Sequence, residues 1–311
     1  MSLTITEKTD FVCREATKLG FTGVGFTMAR FMPKEANRLS DWLEDGHHGE
    51  MAYMENHFEK RTDPSQLVPG SKTVISLSFN YYTDVKQSDP EAPIISKYAY
   101  GRDYHKVIKK KLGILLETLK QNIGVNIGRF FVDSGPVLER AIAYRSGLGW
   151  IGKNTMLIHP KRGSYFFLAE LIIDVELKYN TAMDDHCGRC RKCIDACPTQ
   201  AIDFHGYKLE AEKCISYATI EKKGDIPGLF KGNMENRVFG CDICMQVCPW
   251  NKFSVPHSEP DFEPKNEMID LTAKEWSDMT ETKYEELFNG TPVRRAKYSG
   301  LKRNILFLNK D

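Results

Sequence analysis

The stretch 187–198, CGRCRKCIDACP, places four cysteines and a proline within twelve residues. The chain has nine cysteines in all, and its first ten residues, MSLTITEKTD, lack the basic start and the apolar run of a secretion signal. Cysteines in a reducing compartment stay as thiols, and clusters of them there bind metal or carry out redox chemistry. The sequence therefore predicts a cytoplasmic protein with a metal centre in this stretch.

The spacing of these cysteines is C-x2-C-x2-C-x3-C-P, with which bacterial ferredoxins bind a [4Fe-4S] cluster while the fourth cysteine serves a second cluster. A second run is present at 241–249, CDICMQVCP, but Val238 stands where its first cysteine is expected. Cys214 lies nearby outside both runs and is the predicted replacement. The ferredoxin pattern then predicts two sets of ligands: Cys187, Cys190, Cys193 and Cys248 for one cluster, and Cys197, Cys214, Cys241 and Cys244 for the other.

Zinc is the alternative metal for clustered thiolates. Zinc sites use pairs of cysteines, however, and not three at this spacing followed by Cys-Pro, so the pattern favours iron–sulfur clusters. Cys13 belongs to neither set, and we interpret it as a small buried thiol on the first helix.

The composition is that of a globular protein. Hydrophobic residues make up 41% and charged residues 27% of the 311 positions, and no apolar stretch approaches the roughly 18 residues that a membrane span requires. The net charge of +1 does not indicate a nucleic-acid-binding protein, so such a partner must be bound by local basic patches. Two patches are candidates: HKVIKKK at 105–111, and the group Arg294, Arg295, Lys297, Lys302 and Arg303.

Hydrophobic periodicity predicts a mixed domain of helices and strands up to about Leu177. The predicted helices cover 4–20, 34–43 and 104–121, with a short one from Pro136 to Gly147, and the predicted strands cover 21–27, 73–82, 126–133 and 163–177. Residues 184–253 contain too little apolar material for a core of their own unless a metal stabilises them. We therefore predict three domains, 1–177, 178–258 and 259–311, of which the last is helical.

Three short motifs resemble binding sites for other cofactors or metals. In each case the surrounding sequence lacks a feature that such a site requires. The stretch GLGWIG at 147–152 matches the dinucleotide-binding pattern, yet it follows a helical segment where that pattern needs a strand. Asp203-Phe-His205 resembles the start of a cobalamin lower-ligand motif, but Lys208 replaces its glycine. The adjacent histidines at 47–48 lie in a glycine-flanked turn without a second ligand pair, so a metal site there is not predicted.

The stretch 133–158, DSGPVLERAIAYRSGLGWIGKNTMLI, contains the candidate catalytic residue. Asp133 ends an apolar strand, where a carboxyl group can be partly desolvated, kept protonated and used as a proton donor near neutral pH. The alternative is that Asp133 only caps the helix predicted from Pro136.

This stretch also carries a family resemblance. Together with GRDYH at 101–105, HGEMAYM at 48–54, KRTDPSQLVPG at 60–70 and the two cysteine runs, it closely resembles the epoxyqueuosine reductases, cobalamin-dependent iron–sulfur enzymes of queuosine synthesis in tRNA. The resemblance covers roughly residues 5 to 305. It implies an α+β protein in which a flavin-reductase-like α/β domain binds cobalamin without a protein lower ligand. A bacterial ferredoxin-like domain with two [4Fe-4S] clusters would follow, and then a short helical segment that begins a tRNA-contacting helical repeat.

The resemblance further implies which residues act. Asp133 matches the proton donor of the family, and five other residues match positions near the cofactor or the modified base: Arg61, Tyr104, Lys153, Asn154 and Ser216. The implied reaction is the two-electron reduction of epoxyqueuosine to queuosine at the wobble position of a tRNA anticodon. Its electrons would come from an external low-potential donor such as flavodoxin or ferredoxin, with no membrane involved.

Two other functions remain open on the sequence. A reductive dehalogenase uses the same cofactors, although such enzymes typically carry a twin-arginine signal that this N-terminus lacks. An electron-carrier subunit would use the clusters alone, and the large first domain argues against it.

Overall fold

The computed structural model describes residues 3–309, so the two residues at each end, which the predicted first and third domains include, lie outside the described residues. The strands in this range are β1 Gly23–Met28, β2 Thr73–Asn80, β3 Ile94–Ile95, β4 Gly128–Phe131, β5 Trp150–Ile151, β6 Leu157–Ile158, β7 Phe166–Ile173 and β8 Arg237–Phe239. The helices are α1 Ile5–Lys18, α2 Pro33–Glu44, α3 Phe58–Thr62, α4 Pro64–Leu67, α5 Tyr104–Ile123, α6 Glu139–Arg145, α7 Lys192–Asp195, α8 Ile215–Ile220, α9 Ile243–Gln246, α10 Asn266–Ile269, α11 Ala273–Ser277, α12 Glu281–Phe288 and α13 Lys297–Leu308.

A four-stranded antiparallel sheet in the order β1-β2-β7-β4 forms the centre of the first part of the chain. Side chains alternate between its faces, so that Ile75 and Leu77 pack towards α1 and α5, whereas Val74 and Ile172 pack towards the opposite face near α6. Helices thus cover both faces of the sheet. The α+β class and all four long strands predicted from the sequence are confirmed.

The loop between β4 and α6 differs from the sequence prediction. Helix α6 begins at Glu139 with Leu138 as its N-cap, and no side chain caps it. Two tight turns, in which Ser134 donates its N–H to Val132 and Val137 donates to Gly135, occupy the residues expected to start the helix. The prediction that the helix starts at Pro136 is therefore wrong, and so is the alternative that Asp133 serves as its cap.

The cysteine-rich part contains only short elements. Helices α7 and α9 each follow the start of one cysteine run, and β8 pairs in parallel with β3 from the first part of the chain. Val238, which replaces the expected cysteine, is fully buried in β8, where it packs with the C-terminal helices. Across residues 3–309, no helix combines the length and apolar character that a membrane crossing requires.

Candidate active site

Asp133 lies just beyond β4, and two residues from the start of α5 hold its carboxylate. Tyr104 donates its phenolic O–H to Asp133 Oδ2 at 2.5 Å, and His105 Nε2 lies 3.4 Å from the same oxygen. The other ring nitrogen of His105 lies 2.8 Å from Asp103 Oδ1. Because His105 faces a carboxylate at each nitrogen, both nitrogens act as donors when the ring is protonated.

The electrostatics of this group differ from the sequence prediction. Burial alone raises the pKa of Asp133, but the hydrogen bonds from His105 and Tyr104 outweigh it and hold that pKa below its ordinary value. Burial lowers the pKa of His105, yet its bonds to Asp103 and Asp133 raise the pKa to about 9. The prediction that desolvation keeps Asp133 protonated is wrong, because at neutral pH its neighbour His105 holds the proton.

The carboxyl group of Asp133 is open to water. Its side chain is 60% exposed to solvent, although enough protein surrounds it for burial to raise its pKa. Tyr53 shows the same combination, since it is 44% exposed while burial raises its pKa to about 12, and the charges of Asp133 and Arg295 both act on it. Arg140 is likewise exposed although burial lowers its pKa. Tyr53 and Arg140 therefore lie near Asp133, and the three side chains form a group open to water that we call the Asp133 site.

Arg295 brings the C-terminal segment close to Asp133. Its guanidinium is 60% exposed, forms a 2.9 Å ion pair with Glu221, and lies close enough to Asp133 to lower the pKa of that carboxyl group. The sequence indicated Arg295 only as a member of a basic patch.

The other predicted site residues lie in two places. Arg61 is buried and donates to the backbone oxygens of Asn56 at 2.9 Å and Tyr53 at 2.6 Å, so it supports the segment that carries Tyr53. Lys153 donates from Nζ to the carbonyls of Gly188 and Cys190, within the first cysteine run.

Asn154 and Ser216 also contact the cysteine runs. The amide of the buried Asn154 lies 3.4 Å from the carbonyl of Cys244. The backbone N–H of Ser216 hydrogen-bonds the thiol of Cys214, which lowers the pKa of that thiol against the larger effect of burial. Tyr104 is thus the predicted neighbour that directly touches Asp133, whereas Lys153, Asn154 and Ser216 join the first domain or the helix α8 to the cysteines.

The first predicted cysteine set lines a single small cavity. Cys187, Cys190, Cys193 and Cys248 share this cavity with Lys153, Asn154, Ile158, Pro249 and Trp250. Burial and the negative charges of the three neighbouring sulfurs raise the pKa of Cys193 to about 11. Four thiols around one space fit the chemistry of a cluster bound by four thiolates.

The second predicted set is also brought together. Burial, and then the charges of Cys241 and Cys214, raise the pKa of Cys244 well above its ordinary value. Cys197 in turn acts on Cys214, so all four members are neighbours. Within the part of the chain that the structure describes, no three His, Cys, Asp or Glu side chains are arranged to hold a single metal ion. The cysteines surround two spaces, and their assignment as cluster ligands stays a prediction.

The two predicted basic patches differ in how free their charges are. Lys106 and Lys110 are exposed on α5, whereas Lys111 forms a 2.9 Å ion pair with Glu259. In the second patch, Arg303 donates to the backbone carbonyls of Ala218, Lys222 and Gly224, and Lys302 donates to those of Ser277 and Met279. Arg303 and Lys302 therefore fasten α13 to the protein, a role that the sequence did not indicate.

Sequence reasoning missed the carboxyl groups beneath Asp133. Glu139 accepts a hydrogen bond from the backbone N–H of Asp133, and Glu170 in β7 is fully buried next to it. A single acidic residue within the apolar stretch FFLAELII at 166–173 was the signal that could have indicated Glu170.

Comparisons with known proteins match both the first part of the chain and the cysteine-rich part. A family model described as "Epoxyqueuosine reductase QueG, DUF1730" matches residues 61–134, which end just after Asp133. A model of the "4Fe-4S double cluster binding domain" matches residues 186–251, which contain both cysteine runs, and the expected pair of [4Fe-4S] clusters is thereby confirmed. The epoxyqueuosine reductase of Cellulophaga algicola is 52% identical over 96% of this chain and 97% of its own length.

Solved structures show the same likeness. A crystal structure of epoxyqueuosine reductase with an epoxyqueuosine-modified tRNA-Tyr stem loop superposes with a TM-score of 0.89 at 30% identity, over 98% of this chain and 81% of that one. An epoxyqueuosine reductase from Bacillus subtilis, whose catalytic aspartate loop is swung out of the active site, gives a TM-score of 0.87 at 29% identity over the same shares. A catabolic reductive dehalogenase reaches a TM-score of 0.53 at 16% identity, which is a likeness of fold alone. The chain belongs to the epoxyqueuosine reductase family.

Proposed function

We propose that this chain reduces epoxyqueuosine to queuosine in the anticodon of a tRNA, with cobalamin and two [4Fe-4S] clusters as cofactors. The observation that carries the proposal is Asp133, which is open to water and whose carboxylate is held by Tyr104 and His105. The tRNA stem loop in the related crystal structure supports tRNA as the substrate. The catalytic aspartate loop of the Bacillus subtilis relative supports Asp133 as the residue that acts on it.

The residues around Asp133 fit the proposed cofactor and substrate. Tyr53, Arg140 and Arg295 are exposed and carry hydrogen-bonding groups, which suit a large polar cofactor and a nucleotide base. Lys153 and Asn154 bind the backbone of the cysteine runs, so they place the clusters beside the first domain. When bound, cobalamin would supply the two electrons that the reduction needs, and the clusters would carry electrons one at a time from an external donor such as flavodoxin or ferredoxin.

The residues around Asp133 handle the protons. Loss of the epoxide oxygen as water consumes two electrons and two protons, and the oxygen needs a proton as its bond to carbon breaks. His105 holds a proton at neutral pH because its pKa is raised to about 9. We propose that Asp133 passes this proton from His105 to the oxygen, and that Tyr104 keeps the carboxylate aligned while it does so.

We further propose the division into domains 1–177, 178–258 and 259–311, in a protein that works in the cytoplasm. The match of the double-cluster model to residues 186–251 supports the second of these domains. The segment Ala92–Tyr100 packs with the C-terminal helices, so the first and third domains share a core.

Turnover of a defined substrate tests the proposed function. Anaerobically reconstituted protein with cobalamin and a chemical reductant is incubated with an epoxyqueuosine-containing stem loop, and the nucleosides are separated by mass. Conversion to queuosine that requires cobalamin supports the proposal. Full cluster reduction without any conversion would instead favour an electron-carrier subunit, and conversion of a halogenated aromatic compound alone would favour a dehalogenase.

A further inference from the structure

We propose that Glu139 is a positioning residue that holds the Asp133 loop in place, and that it does so as one member of a carboxyl pair with Glu170 that shares a proton. The inference rests on the proposed function of Asp133, and it extends that function to two residues that do not touch the substrate. The Asp133 loop is defined here as residues 132–138, between β4 and α6.

The backbone of Asp133 needs a restraint. Its φ angle is +56°, in the left-handed region that residues other than glycine rarely adopt. Aspartate adopts this region more readily than most residues, but a single fixed conformation there persists only where the surroundings enforce it. Tyr104 and His105 hold the side chain, but the backbone N–H of Asp133 is held by the carboxylate of Glu139.

Glu139 connects the loop to rigid elements. It is the first residue of α6, whose buried residues Ile142 and Ala143 fix that helix against the sheet. Its partner Glu170 is fully buried in the middle of β7, and Ser76 of β2 donates to Glu170 Oε1 at 3.3 Å. The loop is thus tied through one carboxyl group to a helix and to the two central strands.

Two carboxyl groups in this position must share a proton. Glu170 Oε2 is buried and, among the described residues, has no hydrogen-bond donor other than a protonated Glu139 beside it. Two hydrogen-bonded carboxyl groups, of which Glu170 is fully buried and Glu139 half-buried, do not both ionise, so one group stays neutral and donates to the other. Burial and the nearby charge of Asp133 raise the pKa of Glu139 to about 8, and burial with the charge of Glu139 raises the pKa of Glu170 further.

The groups around the pair favour this state. The negative charge of Asp133 opposes ionisation of both carboxyl groups at once. The positive charges of His105 and Arg140 favour ionisation of one of them. Arg140 turns away to the backbone carbonyl of Thr155, at 2.6 Å, and so it does not replace the shared proton. The pair therefore keeps at least one proton at neutral pH, and Glu139 Oε1 accepts from Asp133 N–H.

Two substitutions separate this role from a general structural one. Glu139→Gln keeps an oxygen that accepts from Asp133 N–H and adds an N–H₂ group that donates to Glu170. It therefore reproduces the protonated pair without a titrating group at position 139. Glu139→Ala removes both bonds. Glu281→Ala is the matched control, because Glu281 is also the first residue of a helix and is exposed.

Hydrogen exchange of peptides that cover residues 132–138 tests the restraint in protein without cofactor or substrate. We expect exchange in Glu139→Ala to be roughly tenfold or more faster than in the native protein, because local opening is no longer opposed. Glu139→Gln and Glu281→Ala should retain native exchange. Native exchange in Glu139→Ala, or equally fast exchange in the glutamine variant, overturns the proposal.

Two further readouts test the catalytic and proton-sharing parts. With epoxyqueuosine stem loop, Glu139→Ala should lower kcat roughly tenfold or more with little change in KM, while Glu139→Gln stays within about threefold of the native kcat. The infrared spectrum should show a carboxylic acid band that disappears in Glu170→Gln, and a native spectrum without that band contradicts a shared proton. If the native protein does not convert the stem loop at all, the proposed function fails, whereas the exchange and infrared results still decide the role of Glu139.

Discussion

Tyr104 and His105 meet the same carboxylate oxygen of Asp133. The phenol oxygen of Tyr104 lies 2.5 Å from Asp133 Oδ2, and His105 Nε2 lies 3.4 Å from it. One oxygen thus meets a neutral donor and a cationic one. The phenol cannot give up its proton near neutral pH, because burial and the charge of Asp133 raise the pKa of Tyr104. The proton that can move in this group is therefore the one on His105.

The raised pKa of His105 predicts a loss of stability at alkaline pH. A protonated histidine that is stabilised in the folded state contributes stability that is fully present below its unfolded pKa of 6.5 and is lost as the pH rises through about 9. We expect the thermal midpoint to fall by a few degrees between about pH 7 and about pH 10. The dependence should be weaker in His105→Gln, which removes this titration.

His205→Gln provides the control for that measurement, since His205 is exposed on a turn of the cysteine-rich part. It should keep the native dependence on pH. An alkaline decrease that His105→Gln leaves unchanged would mean that another group, such as the Glu139–Glu170 pair, causes it, since the raised pKa values of that pair act in the same direction.

Cys214 is the displaced ligand that the two cysteine sets predict. Anaerobically reconstituted protein should contain about eight iron and eight sulfide ions, as two clusters of four. Cys214→Ala should lower the iron content, because one cluster loses a thiolate. Cys13→Ala should not, since Cys13 lies on α1 and packs against the core of the first sheet. Full iron content in Cys214→Ala would show that the assignment is wrong.

The sequence predicted the cysteine sets because the spacing of metal ligands is local. Cys187, Cys190 and Cys193 are close in the chain, and the count of the remaining cysteines indicated Cys214 without any knowledge of the fold. The structure adds the reason why Val238 could not be a ligand, since β8 turns it into the core that it shares with the C-terminal helices.

Only part of the arrangement around Asp133 could be predicted from the sequence, because it depends on contacts between distant segments. Asp133 and Tyr104 were found by resemblance, but the pairing of β7 with β4 is what places Glu170 beneath the loop. The predicted direction of the shift in the pKa of Asp133 was wrong for the same reason. The strand pattern indicated burial, and it could not show that two hydrogen-bond donors from α5 outweigh that burial.

Exposed basic residues should bind the tRNA backbone. Phosphate contacts release counterions, so affinity for the stem loop should fall steeply with salt, and each lost contact should flatten the slope by about one unit. We expect this flattening in Lys106→Gln, Lys110→Gln and Arg295→Gln, whose side chains are exposed. Fluorescence anisotropy across a salt series measures it.

Arg303→Gln is the contrasting variant in that series. Its guanidinium is engaged with the carbonyls of Ala218, Lys222 and Gly224, so its loss should lower the thermal midpoint and leave the salt slope unchanged. An affinity that does not depend on salt, or that survives all three neutralising substitutions, contradicts the proposed contacts.

Asp133→Asn tests the proton donor itself. Asparagine keeps an oxygen that accepts from Tyr104, but it cannot pass a proton from His105 to the departing oxygen. A positioned acid typically contributes 10² to 10⁴-fold to the rate, so the variant should convert epoxyqueuosine stem loop at least roughly a hundredfold more slowly. It should still fold, bind cobalamin and hold both clusters, which visible spectra and iron content verify.

Asp10→Asn, on the exposed face of α1, controls for the substitution. Near-native conversion by Asp133→Asn would remove Asp133 from the mechanism and leave His105 as the group that protonates the oxygen directly.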